Sequence, residues 1–462
     1  MNQSVTMSQD AISSLSYQKH IRETVKLSIP VIIGQLGNVL MMVIDNMMVG
    51  ALGYQELSAA SLANNIYFFI FVFGMGLGFA ITPLVAEAKS AGRILLCGRY
   101  FSHGVFLGVI TGLLLGLLVL GSILLLPFMD QPPEDVVLAE SYMVYLAVSV
   151  LPITLFLVGK HFADGLSFTR PAMYITILGL LVNVGGNWLF IYGNWGFPRM
   201  ELDGAGLATV LSRVVMMAMI FWHLLANKKY KEYFHGLQWK RIEMPIVKKI
   251  VSIAIPSGLQ FFFEVSAFVG ASLMIGWIGA VERAAHQIAI SLASVTYMVT
   301  TGISAGTTIR VGTAFGKRDM DSVKRAGLSG IIISVVFMAL AAIAFVIGKD
   351  WLPTLYIDDP SVLTITSVLM LIAAFFQLFD GVQAVAIGAL RGIQDVKIPT
   401  WMTFAAYWVI ALPGGYLMGF TLGLGVAGVW YSLTIGLMLS AVFLTSRFMI
   451  LSKKEQLFPA FS

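Results

Sequence analysis

Apolar residues in this chain come in long runs, broken by short polar stretches. Runs of about 20 residues, the length of helix that crosses a hydrocarbon layer of about 30 Å, predict twelve membrane spans. Their cores are 27–50, 57–84, 101–126, 139–162, 172–192, 204–225, 246–277, 285–311, 326–347, 362–390, 399–420 and 423–450. Barrel strands would alternate over shorter segments of about ten residues, so helices are predicted throughout. The polar stretches mark a cytoplasmic arm at 1–26, a first lobe at 27–226, a connecting loop at 227–245, a second lobe at 246–450 and a cytoplasmic tail at 451–462.

Laid on itself with a shift of 226 positions, the chain aligns Pro30 with Pro256, Gly50 with Gly276, Gly53 with Gly279, Glu56 with Glu282, Gly76 with Gly302 and Thr82 with Thr308. Further on, Pro171 meets Pro399, and Ala205-Gly206 meets Ala427-Gly428, with small changes of shift. A duplicated six-span unit keeps its orientation, because six is even, and its copies are expected to be related by an axis along the membrane normal. The predicted fold is therefore an all-α polytopic membrane protein, twelve transmembrane helices in two pseudo-symmetric six-helix bundles around a central cavity. That is the usual layout of a secondary transporter.

Composition agrees: of 462 residues, 58% are hydrophobic and 11% charged, and the mean hydropathy is +0.85. A soluble domain carries about a quarter charged residues. The basic residues cluster on alternate loops: Lys19, Arg22 and Lys26; Lys89, Arg93 and Arg99; Lys228, Lys229, Lys231, Lys240, Arg241, Lys248 and Lys249; Lys317, Arg318, Lys324 and Arg325. Arg170, Lys397, Lys453 and Lys454 fall on the same side. By the positive-inside rule both termini are expected in the cytoplasm. The net charge of +5 then reflects loops facing anionic lipid rather than a nucleic-acid footprint. The N-terminus has no short apolar core with a cleavage site, so no removable signal peptide is expected. The single Cys97 excludes a disulfide scaffold.

Three acids stand inside predicted spans: Asp45 in "MMVIDNMMVG", Glu264 in "LQFFFEVSAFVG" and Asp380 in "FFQLFDGVQAVAIGALRG". A charge at the bilayer centre costs about 2.5 to 3.5 kcal/mol on the insertion scale, so such residues face an interior and serve a function, or are held in a helix-to-helix hydrogen bond. Arg213 is the base read well inside a span. Asn183 and Asn187 are one helical turn apart and share a face. Their amide oxygens, converging near Asp45, would suit a hard cation such as Na+; an asparagine pair can equally hold helices together. Gln377, Asp380 and Gln383 are spaced by three, which sets amides beside a carboxylate. Gln35, Gln260, Phe261, Phe376, Gln377 and Gln383 are candidates to line a substrate cavity, aromatic faces being attractive to organic cations.

Several patterns carry no chemistry. Gly302 to Gly306, "GISAG", matches a nucleophile elbow but lies in an apolar span rather than between strand and helix, and reads as helix packing. "GTAFGK" at 312–317 is one residue short of a phosphate-binding loop, so no ATP is expected to drive the protein. The six histidines form no zinc motif. No catalytic residue, enzyme activity or cofactor is predicted.

The stretches 27–53, 181–198, 261–268, 379–399 and 407–419 together resemble the MATE (multidrug and toxic compound extrusion) transporters, in their NorM-type bacterial branch. The resemblance implies a monomeric antiporter exporting bulky cationic or aromatic drugs in exchange for H+ or Na+. It implies that Glu264 and Asp380 are the carboxylates of the second lobe, and that Asp45, Asn183 and Asn187 form the cation site of the first. Some NorM-type proteins carry a tyrosine where this chain has Phe376, which removes one oxygen ligand and leaves proton coupling open beside sodium at Glu264 and Asp380. The alternative from the same superfamily, a flippase of a lipid-linked precursor, would favour a cationic cavity.

Overall fold

The computed structural model describes residues 9–128, 132–239 and 241–453; the rest of the arm and tail, loop residues 129–131 and Lys240 lie outside the described residues. Among the described residues, twelve helices are long and apolar enough to cross a membrane. They are α1 (Gln9–Gly50), α2 (Tyr54–Ser90), α3 (Ile94–Ile123), α4 (Pro133–Gly165), α5 (Arg170–Phe190), α6 (Glu201–Ala226), α8 (Met244–Ile278), α9 (Ala280–Gly316), α10 (Met320–Gly348), α11 (Pro360–Gly392), a composite span over Lys397–Thr421, and α14 (Gly425–Leu451). A one-turn helix, α7 (Lys231–Phe234), sits in the connection between lobes. Among the described residues there are no strands. Of the arm expected at 1–26, the residues from Gln9 onward are helical and continue into the first span as α1.

The composite span is wound unevenly. It begins as α12 (Lys397–Phe404), loosens to π-helix over Ala405–Ala411, tightens to α13 (Leu412–Tyr416) and loosens again over Leu417–Thr421. Pro413 removes one backbone donor within it. π-Segments are rare and gather at functional sites, where the extra residue per turn re-aims side chains.

The chain divides by contacts into two units, residues 33–262 and residues 263–462 together with the chain up to Ile32. This departs from the lobes expected at 27–226 and 246–450. The division cuts α1 after Ile32 and α8 after Phe262. The physical reason is a reciprocal exchange of helix halves. In one unit, a Cβ on Gly302 of α9 would stand 2.9 Å from the backbone nitrogen of Ile32, and one on Gly306 would strike Ser28. In the other, a Cβ on Gly76 of α2 would strike the carbonyl of Ala254 and lie 2.8 Å from the nitrogen of Gly258. Gly76 and Gly302, like Ile32 and Gly258, correspond under the shift of 226. Each unit therefore takes in the amino-terminal half of the other repeat's first helix at one repeated close crossing. Between membrane helices such crossings hold by van der Waals fit, because lipid is as apolar as the helix faces.

The duplication shows again at the starts of α2 and α9. Each follows a glycine in extended backbone, Gly53 and Gly279, over which Glu56 and Glu282 fold back into the space a Cβ would fill. Within the second unit, α9 and α11 lie close enough for Ser304 Oγ to donate to the Ala384 carbonyl at 2.6 Å and Thr308 Oγ1 to the Gly388 carbonyl at 2.8 Å. "GISAG" is thus a packing stripe. It brings α11, which carries Asp380, against α9.

Candidate functional site

In the unit of residues 33–262, α1 carries Asp45 and α5 carries Asn183 and Asn187. Helix α5 crosses α6 where a Cβ on Gly186 would lie 2.9 Å from that of Ala208, and both asparagines beside this crossing are fully buried. Asn187 Nδ2 donates to Asp45 Oδ1, and Asn183 borders the same carboxyl. Both amide atoms of Asn183, the Asn187 oxygen and the hydroxyl of Thr209, the residue after Ala208, are buried with no hydrogen-bond partner among the described residues. Leaving a buried polar group unmade costs about 1–3 kcal/mol. Amide and hydroxyl oxygens beside a carboxylate are the donor set that a hard cation such as Na+ accepts.

Arg213, on α6, completes this group. Its Nη1 donates to Tyr67 Oη at 2.7 Å and to Ser149 Oγ at 2.5 Å, and its guanidinium carbon stands 4.9 Å from the centre of the Tyr67 ring. It is within electrostatic reach of Asp45, yet its bonds go to hydroxyls.

In the other unit, Glu264 of α8 is 5% exposed and accepts a hydrogen bond from Tyr297 Oη of α9 at 2.9 Å. Asp380 of α11, also 5% exposed, lies within electrostatic reach of Glu264. Around them, Tyr407 Oη donates to Gln383 Oε1 at 3.0 Å and Thr296 Oγ1 to Gln377 Oε1 at 3.0 Å, while the amide nitrogens of both glutamines have no partner among the described residues. Tyr407 lies in the first π-segment. Arg391, half-buried near the end of α11, interacts electrostatically with Glu264 and Tyr297. Among the described residues none of the three intramembrane acids is held in an ion pair.

Tyr297→Phe removes the hydroxyl and keeps the ring. Loss of a hydrogen bond to a charged group costs about 1.5–3 kcal/mol, so the drug efflux that the sequence resemblance implies is expected to fall roughly tenfold or more at unchanged membrane abundance. Efflux at the wild-type rate would show that the hydroxyl does not serve the site.

The remaining candidates divide. Gln35, Gln260 and Phe261 belong to the unit of residues 33–262; Gln260 is buried, Gln35 and Phe261 are half-buried, and Phe261 meets Phe79 edge-on at 6.2 Å. Phe376 is 2% exposed and packed between Phe268 at 6.0 Å and Trp430 at 5.6 Å. Gln377 and Gln383 are likewise buried, bonded inside the bundle. Tyr297, Tyr407 and Thr209 escaped the sequence reading.

The MatE family profile matches the chain twice, over residues 30–189 and over 256–417. The chain belongs to the MatE family. The second match begins where the shift of 226 puts the start of the first, so this MatE chain carries its family unit in duplicate. It is 32% identical over 457 residues to the "Probable multidrug resistance protein NorM" of Rhizobium meliloti, covering 98% of each chain. It is 33% identical over 438 residues to the "Multidrug resistance protein MdtK" of Photorhabdus laumondii, covering 93% of this chain and 95% of the relative. The NorM-type resemblance is thereby borne out. The fold of this MatE chain is similar to that of an outward-facing multidrug resistance transporter of the MATE family and MOP superfamily, with a TM-score of 0.87 at 22% identity over 95% of this chain and 97% of the other.

Proposed function

We propose that this protein is a secondary active exporter of organic cations and aromatic drugs, driven by inward movement of H+ or Na+ through alternating access. The observation that carries the reading is the pair of buried acids Glu264 and Asp380, surrounded by phenol and amide groups and held in no ion pair among the described residues. Removing any carboxyl from water favours capture of a proton or cation over a bare charge. A cationic drug competes for the same charge, so binding one passenger releases the other. An inward-moving monovalent ion gains about 2.3 kcal/mol per 100 mV, which returns the carrier to its drug-accepting state.

In this reading Asp45, Asn183 and Asn187 form a second ion site, with Thr209 supplying a further oxygen. The protein works as a monomer in the bacterial inner membrane with both termini in the cytoplasm, the side on which the basic loops fall, and without ATP. The names of the NorM and MdtK relatives support drugs as cargo.

The test is dye efflux from proteoliposomes under an imposed proton or sodium gradient. Efflux is expected to follow one or both gradients and to stop when they are collapsed. Movement indifferent to both would overturn the antiporter reading.

A further inference from the structure

The connection between the repeats is no slack tether. Tyr230 and Tyr233 are 1% and 3% exposed, seated against Phe168 and Phe162, and Gly98 and Gly236 bring the connection into backbone contact with α3. Two of its backbone N–H groups are caught by side chains of α3: Gln238 N donates to Ser102 Oγ at 3.3 Å, and Glu243 N to His103 Nε2 at 2.8 Å. A ring nitrogen that accepts from a backbone N–H carries no proton, so the other, Nδ1, is the one that donates to the Arg99 carbonyl at 2.8 Å. One end of the imidazole holds the strap, and the other is fixed to its own helix, α3.

What the strap shows to the outside is both basic and apolar. Lys228, Lys229 and Lys231 are exposed on it, three bases beside the exposed acid Glu232. On either side stand Trp222, 67% exposed at the end of α6, and Trp239, 59% exposed. Lys229 Nζ and Lys89 Nζ converge on one ring, lying 5.8 Å and 5.1 Å from the centre of Phe168, so two ammonium groups are gathered at one place. Tryptophans settle at headgroup depth, and lysines beside them face the phosphates of anionic lipid.

We propose that this docked strap binds an anionic phospholipid by its phosphate, Lys228, Lys229 and Lys231 supplying the charge and Trp222 and Trp239 seating the acyl-chain boundary. The inference rests on the chain spanning a membrane with its basic loops at one face, and not on what it exports.

The experiment follows thermal unfolding of the full chain, purified in neutral detergent, on addition of phosphatidylglycerol, phosphatidylcholine or inorganic phosphate. A saturable rise in melting temperature is expected with phosphatidylglycerol alone. A base near an anionic surface is worth a factor of about five, so Lys228→Gln/Lys229→Gln/Lys231→Gln together are expected to weaken the response about a hundredfold. Lys317→Gln/Lys324→Gln, in a different basic loop, is expected to respond as the wild type does. An equal rise with phosphatidylcholine or inorganic phosphate, an unchanged response in the triple variant, or an equal loss in the control variant would each overturn the proposal. Drug efflux by the triple variant is a separate readout, since these lysines are remote in sequence from the acids on which export depends.

Discussion

Asp380→Asn and Glu264→Gln are each expected to reduce drug export to the level of a membrane without the protein, while the chain still folds and reaches the membrane. Both replacements are isosteric, and both keep a carbonyl oxygen as acceptor. The amide oxygen of a glutamine at position 264 would still take the hydrogen bond that Tyr297 now gives Glu264. What disappears is the negative charge, for which ion and drug compete in the proposed mechanism. Folding is expected to be spared because neither acid sits in an ion pair among the described residues. Dye accumulation in cells, normalised to protein in the membrane fraction and to its elution as a single species, checks both halves. Full activity in both variants would remove these acids from the mechanism.

Gly76→Val and Gly302→Val are expected to fail earlier, at assembly. The atoms a Cβ would strike include backbone: the Ala254 carbonyl and Gly258 nitrogen for Gly76, and the nitrogen and Cα of Ile32 for Gly302. A side chain could rotate aside; a helix backbone has to move away as a whole, and the contacts along that crossing go with it. Overpacking a core ordinarily costs about 1–3 kcal/mol, and two helices pushed apart exceed that range. The measurement is yield and melting temperature in detergent, with Gly121→Ala beside them because nothing lies within 4 Å of a Cβ there. Valine variants as stable as the wild type would mean that the exchanged helix halves are not held at these glycines.

The twelve spans were legible because a run of about 20 apolar residues has few other uses. Their ends were not. The eighth span was expected at 285–311, yet α9 begins at Ala280 and runs to Gly316, because hydropathy discounts terminal turns that carry Glu282 and Arg283 or lead into Lys317. The π-segments of the composite span were invisible, since hydropathy is blind to winding. The exchange of helix halves was hidden for another reason: it depends on Gly302 meeting Ile32 and Gly76 meeting Gly258, and a polar loop is a louder signal than two glycines.

Within the site, the acids announced themselves by the cost of a charge in an apolar run. Their partners did not. Tyr297 lies 33 positions from Glu264, and Tyr407 lies 24 from Gln383. A tyrosine in a span is unremarkable until a neighbouring helix places a carboxylate or amide opposite its hydroxyl. Phe376, close to an acid in sequence, packs its ring between Phe268 and Trp430, contacts that sequence proximity does not reveal.

Glu264 is the second residue of α8 after the helix changes allegiance between Phe262 and Phe263. α8 runs on as one helix through that joint, with Pro256 the residue that removes a backbone donor shortly before it. In the proposed mechanism an ion taken by the carboxyl therefore acts on a helix that both units hold, and the stiffness of α8 past Pro256 decides how far that action carries.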